Sequence, residues 1–191
     1  AYLGNMKKHI IFFLFLLITC THVGQSFKLS PEAEISIITC GTGDELYSTF
    51  GHSAFRVKDP KYHVDIVYNY GTFNFNTPNF YLKFAQGKLL YELERSRFDR
   101  FLDIYIRENR WVKEQVLNLN YEEKDALFKY LQWNAKPENS AYKYDFFFNN
   151  CATKIRDVYE TALPNTIAFT DEHVKTSMTF RELIQVHLDY N

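Results

Sequence analysis

A chain of 191 residues with a formal net charge of -1 suits one domain with a real core. The near-neutral charge carries no basic stripe for nucleic acid. With 46% apolar and 18% aromatic residues, and only Gly 7 and Pro 5, it excludes intrinsic disorder and long flexible linkers.

At the N-terminus, Lys7 and Lys8 precede the apolar run Ile10–Ile18. A basic segment before a short apolar core reads as a secretory signal, and the run is too short to span a bilayer. Ala1–Asn5 lie upstream of the Met6 start, and Gly24 and Ser26 offer small residues for cleavage. Lipidation at Cys20 is the minor alternative, because Thr19 stands where a smaller residue is wanted. Residues 1–26 are therefore read as upstream residues and signal peptide, and 27–191 as a single exported domain. Export implies an oxidising compartment, so a Cys40–Cys151 disulfide is one expectation for the mature chain.

The spacing predicts a strand over 33–40, a Gly-rich turn, and a second strand over 51–59. Pro60-Lys61-Tyr62 reads as a hairpin turn into a third strand over 63–73. Pro78 opens a helix, 89–96 reads as a strand, and 98–109 is an amphipathic helix with Phe98, Phe101, Leu102, Tyr105 and Ile106 on one face. A strand follows over 110–119. Asn120 and Glu123 form a capping box before a helix whose buried stripe is Ala126, Leu127, Tyr130 and Leu131. Residues 137–150 read as loop or strand, 151–163 as a helix stopped by Pro164, and 179–190 as a last helix. The expected class is α+β, an antiparallel sheet with packed helices.

Asn150 reads as an N-cap, which puts Cys151 in the first turn of a helix, where a thiol's pKa falls. Three roles stay open for it: a core thiol beside Phe146–Phe148, half of a disulfide, or a nucleophile. A nucleophile needs a base and a group to orient it. His52 opens a strand directly after Gly51 and after the polar loop holding Tyr47, Ser48 and Thr49. If residue 58 pairs with 63, His52 falls opposite Asn69 on one face, and Asn69 is placed to fix the imidazole tautomer. The bland alternatives are a solvated histidine and a turn asparagine before Gly71. No histidine or cysteine pair has zinc spacing, HExxH is absent, and no metal or cofactor is expected.

"LYSTFGHSAFRV" (46–57), "YNYGTFNF" (68–75), "PNFYLKFAQGKLLYEL" (78–93) and "YDFFFNNCATKIRD" (144–157) together resemble the Lnb N-terminal periplasmic domain family. The order of His52 before Cys151 is more loosely similar to permuted papain-like enzymes of the NlpC/P60 and lecithin:retinol acyltransferase types. The resemblance implies a permuted papain-like fold and a membrane-associated thiol acyltransferase of the envelope. In that role Cys151 would take an acyl chain from a phospholipid donor and pass it to the N-terminal amine of a lipoprotein acceptor, with His52 and Asn69 as its partners. Tyr47, Ser48, Arg56, Asn150 and Phe147 would contact substrate. Relatives are usually longer, with a C-terminal membrane-associated part, so this chain is expected to be a shortened or soluble member. Two alternatives remain: a cysteine hydrolase or amidase acting on cell-wall peptides, and a non-catalytic binding domain stapled by a disulfide.

Overall fold

The structure is a computed structural model that describes residues 27–45, 48–74, 76–166, 168–170, 172, 174 and 177–188. The expected signal segment, Cys20 and Tyr47 lie outside the described residues. Six strands, β1 Glu34–Cys40, β2 His52–Asp59, β3 Val64–Thr72, β4 Leu90–Arg97, β5 Val112–Val116 and β6 Ala141–Lys143, form one sheet in the order β5-β1-β2-β3-β4-β6. Every neighbouring pair is antiparallel. The helices are α1 Phe80–Ala85, α2 Phe98–Arg107, α3 Tyr121–Asn134, α4 Pro137–Ser140, α5 Cys151–Ala162 and α6 Phe180–Leu188. The α+β class expected from the sequence is what the chain adopts, and the strands fall where the alternation put them.

Alternation along the strands gives the sheet two apolar faces. One carries Ile35, Phe55, Val57, Tyr68, Tyr70 and Leu93, covered by Leu127, Phe128 and Leu131 of α3 and Ile155, Val158 and Tyr159 of α5. The other carries Ile38, Cys40, Ala54 and Val67, covered by Phe101 and Tyr105 of α2. The capping box of Asn120 and Glu123 forms as the sequence predicts. The segment read as loop or strand holds a short helix, α4, and the edge strand β6.

The β2–β3 hairpin corrects one expectation. Asp59 pairs with Val64, not Lys58 with His63, because the turn takes the four residues 60–63 and His63 enters the left-handed region at φ 53. His52 therefore does not lie opposite Asn69. Paired positions also stop at Phe55 and Tyr68, although β2 begins at His52 and β3 runs to Thr72. Between those ends β2 and β3 part. At the far end of β3 the pairing with β4 is irregular between Tyr70 and Thr72, where Gly71 has φ 99.

The hairpin end is anchored by Asp59, which is fully buried and accepts hydrogen bonds from the Ser30 amide and hydroxyl, each at 2.7 Å, and from the Lys61 amide at 3.1 Å. Burial works against its charge, but these donors hold the carboxyl below its usual range. Asp59→Ala strands the Ser30 donors and is expected to cost about 2 kcal/mol in a denaturant titration. A depressed folded-state pKa contributes stability above the unfolded value, so the wild-type advantage is expected to persist above about pH 4 and to vanish as pH falls below it.

Candidate active site

The end of the sheet where β2 and β3 part is where Cys151 arrives. The loop before it folds on Asp145, whose Oδ1 accepts the amides of Phe147 and Phe148, each at 2.9 Å. Asn149 Nδ2 donates to the Lys143 carbonyl at 2.5 Å, and Asp145 and Asn149 pair as a bridge. Asn150 then caps α5: its Oδ1 accepts the Ala152 and Thr153 amides, and Thr153 Oγ1 accepts the Asn150 amide at 2.8 Å. Cys151 thus begins a helix of 12 residues, with the positive end of its dipole at the thiol.

His52 starts β2 opposite Cys40, on the α2 face, and its Nε2 meets Asn69 Oδ1 at 2.5 Å. Asn69 reaches it on the diagonal, across the gap that the stopped ladder leaves open. An amide oxygen only accepts, so Nε2–H donates and Nδ1 is the nitrogen left for Cys151. A methyl group built on Gly71 would lie 3.7 Å from His52 Cε1 and 4.0 Å from Cys151 Cβ, so both side chains close around this glycine. His52 and the amides of Ser53 and Ala152 all act on the ionisation of this thiol. Ser53 belongs to the start of β2, which pairs with β1 but not with β3.

The electrostatics follow from these contacts. Burial opposes ionisation of Cys151, yet the hydrogen bond and charge of His52, with the two amides, hold its pKa below the ordinary thiol value. Burial likewise opposes the imidazolium, but bonding to Cys151 and Asn69 outweighs it and the opposing charge of Arg110, and the His52 pKa is raised. The two shifts favour a thiolate–imidazolium pair. Cys40 behaves in the opposite way: burial pushes its thiol up to about 11. Both cysteines are free, so the expected Cys40–Cys151 disulfide is not formed.

Of the residues expected at the site, the structure brings together Cys151, His52 and Asn69. The others that it describes are engaged elsewhere. Arg56 bonds Asp65 through two nitrogens, each at 2.7 Å, pairs with Glu114 at 2.9 Å and stacks on Phe98 at 3.4 Å. Ser48 is buried and donates to the Glu45 carbonyl. Asn150 spends its amide on the cap and on the Phe146 carbonyl. Phe147 is stacked on Phe180 of α6 at 4.2 Å. Sequence reasoning missed Gly71, the Ser53 amide and Arg110, whose guanidinium bonds the Gly41 carbonyl at 2.9 Å and lies 4.6 Å from the Tyr105 ring centre. A Gly flanked by strand residues was a signal for the first, since it marks a bulge or a close approach.

The aromatic loop borders this site. Phe50, two residues before His52, meets Phe146 edge-on at 4.7 Å, and His187 of α6 lies 5.4 Å from Phe50. Phe148 is 65% exposed and Phe180 50%, an apolar rim beside the start of α5. A cleft on the α2 face adjoins the site at Asn69 and is otherwise lined by residues such as Arg97, Arg100, Phe101 and Ile104, with neither Cys151 nor His52 in its wall. Among the described residues no cluster of metal-ligating side chains occurs, and no helix is long and apolar enough to cross a membrane.

A six-stranded antiparallel sheet with helices on both faces, and a His-paired thiol at a helix start, define an α+β domain with a candidate thiol centre. The Lnb N-terminal periplasmic domain family matches residues 26–186, and the chain belongs to that family. It is accordingly an exported, periplasmic protein. Neither the curated proteins nor the solved structures contain a match.

Proposed function

We propose that this domain is a thiol acyltransferase of the envelope, with Cys151 as nucleophile, His52 as acid and base, and Asn69 as the group that orients His52. The observation that carries this is the closing of His52, held by Asn69, and of Cys151, at the start of α5, around Gly71. The same order of groups, with the cysteine on a helix and its partners on strands, supports a permuted papain-like arrangement.

The Cys151 thiolate attacks the ester carbonyl of a phospholipid, and a C–S bond forms. The tetrahedral oxyanion collapses, the ester C–O bond breaks, and the leaving alkoxide takes the proton from the His52 imidazolium. The neutral imidazole then removes a proton from an amine attacking the thioester. A C–N bond forms, the C–S bond breaks, and the thiolate returns. The amine of a lipoprotein N-terminus is the acceptor in this scheme. Exposed Phe148 and Phe180 offer apolar surface to the acyl chain.

Incubation with dipalmitoyl phosphatidylethanolamine vesicles is expected to add the mass of one acyl chain to Cys151, to release lysophospholipid, and to leave Cys151→Ala unchanged. An unmodified thiol that still alkylates rapidly would sink the proposal. Cleavage of a cell-wall peptide by the same preparation would favour the amidase instead.

A further inference from the structure

Among the described residues, four buried side-chain oxygens lack a hydrogen-bond partner: Tyr68 Oη, Asp125 Oδ1, Tyr142 Oη and Tyr159 Oη. A buried polar group without a partner is uncommon and asks for an explanation. Tyr68 lies beside Arg95, and Tyr159 faces the charge of Glu123. Tyr142 is different because its ring meets Lys154, one turn after Cys151 on α5, and packs with Cys151 against one core cluster.

Tyr142 sits on β6 opposite Tyr91 and extends over the sheet face that α5 covers. Its ring lies 6.1 Å from that of Tyr70 and 6.5 Å from that of Tyr91. From the helix side, Lys154 Nζ sits 4.6 Å from the ring centre, one turn after Cys151. These contacts fix the ring from three elements. Tyr142 and Cys151 pack against the same core cluster, and the Tyr142 hydroxyl stays buried among them without a side-chain partner. Gly71 is the residue around which His52 and Cys151 close.

We propose that Tyr142 is a catalytic residue whose hydroxyl donates to the oxyanion formed when Cys151 attacks an acyl carbonyl. This rests on the acyl-transfer function proposed above. Burial, followed by the charge of Cys151, pushes the Tyr142 pKa up, so the group stays a protonated donor through neutral and mildly basic pH. A donor that finds no acceptor in the resting protein makes its bond only when negative charge appears on the carbonyl oxygen. It therefore stabilises the transition state without stabilising the ground state. Tyr144, stacked on Tyr91 at 4.4 Å, also feels the thiol, but its oxygen is not among the unpartnered buried atoms.

Two reagents separate this role from packing. Iodoacetamide alkylates the thiolate by displacement and makes no oxyanion. p-Nitrophenyl octanoate acylates it through one, and its leaving group needs no proton. Tyr142→Phe keeps the ring and removes the donor. It is expected to slow acylation of Cys151 by about 10²–10³-fold, with the alkylation rate and its pH profile unchanged. Acylation at the wild-type rate would overturn the assignment while leaving Cys151 a nucleophile. Equal losses in both reactions would reduce Tyr142 to a packing residue and overturn it too. A wild-type protein that alkylates but is never acylated would remove the acyl-transfer function, and the Tyr142 role with it.

Discussion

Replacing His52 with alanine is expected to slow acylation of Cys151 by a phospholipid by about 10⁴-fold, yet to slow iodoacetamide alkylation at pH 7 by only about tenfold. The two losses differ because they count different things. Alkylation needs only thiolate. Without the imidazolium, burial of Cys151 acts unopposed by a charge and the thiol pKa rises, so less thiolate is present at neutral pH. A more basic thiolate is also the better nucleophile, which offsets part of that loss. Acyl transfer from a phospholipid additionally needs a proton for the leaving alkoxide, and His52 is the group within reach. The rising limb of the alkylation profile is expected to move to higher pH, as a lowered pKa reverts upward. An alkylation profile identical to wild type would show that the imidazole is not coupled to the thiol, and the nucleophile proposal would fall.

Most of what positions this site is local, and local features are legible in a sequence. β1, β2 and β3 follow from alternation of β-branched and aromatic residues, and α5 follows from Asn150 and Pro164. His52 and Asn69 fall together because a hairpin brings them to one end, even though the register is shifted by the longer turn at residues 60–63. Turn length decides register, and nothing in the hydrophobic pattern announces that His63 takes a left-handed conformation. Polar residues mislead for a related reason. Arg56 looked available for substrate, but its partner Glu114 comes from β5, far along the chain. Asn150 looked like a contact residue, yet a side chain that caps its own helix has little left to offer. Tyr142 was invisible because its meaning lies in a missing bond, which a sequence cannot display.

Gly51→Ala is expected to be the most damaging single methyl in the domain, costing about 3–4 kcal/mol in a denaturant titration. Gly51 has φ 74, and a Cβ placed there would stand 2.8 Å from the Cys40 carbonyl oxygen. Two effects therefore add: the left-handed backbone that alanine resists, and a collision with main chain that no side-chain rotation relieves. Gly87→Ala isolates the first effect. Gly87 has φ 63 and nothing within 4 Å of the added carbon, so it is expected to cost about 1 kcal/mol. The difference between the two variants measures the contact with Cys40. That contact matters for chemistry, because Cys40 pairs directly with His52, the next residue after Gly51. Pushing the two strands apart there moves the imidazole away from Cys151, so Gly51→Ala should lose fast alkylation even at temperatures where it remains folded, and Gly87→Ala should keep it. Equal stability of the two variants would show that the chain at Gly51 yields without strain. The tight approach of β1 to the start of β2 would then have no part in holding His52 against the thiol.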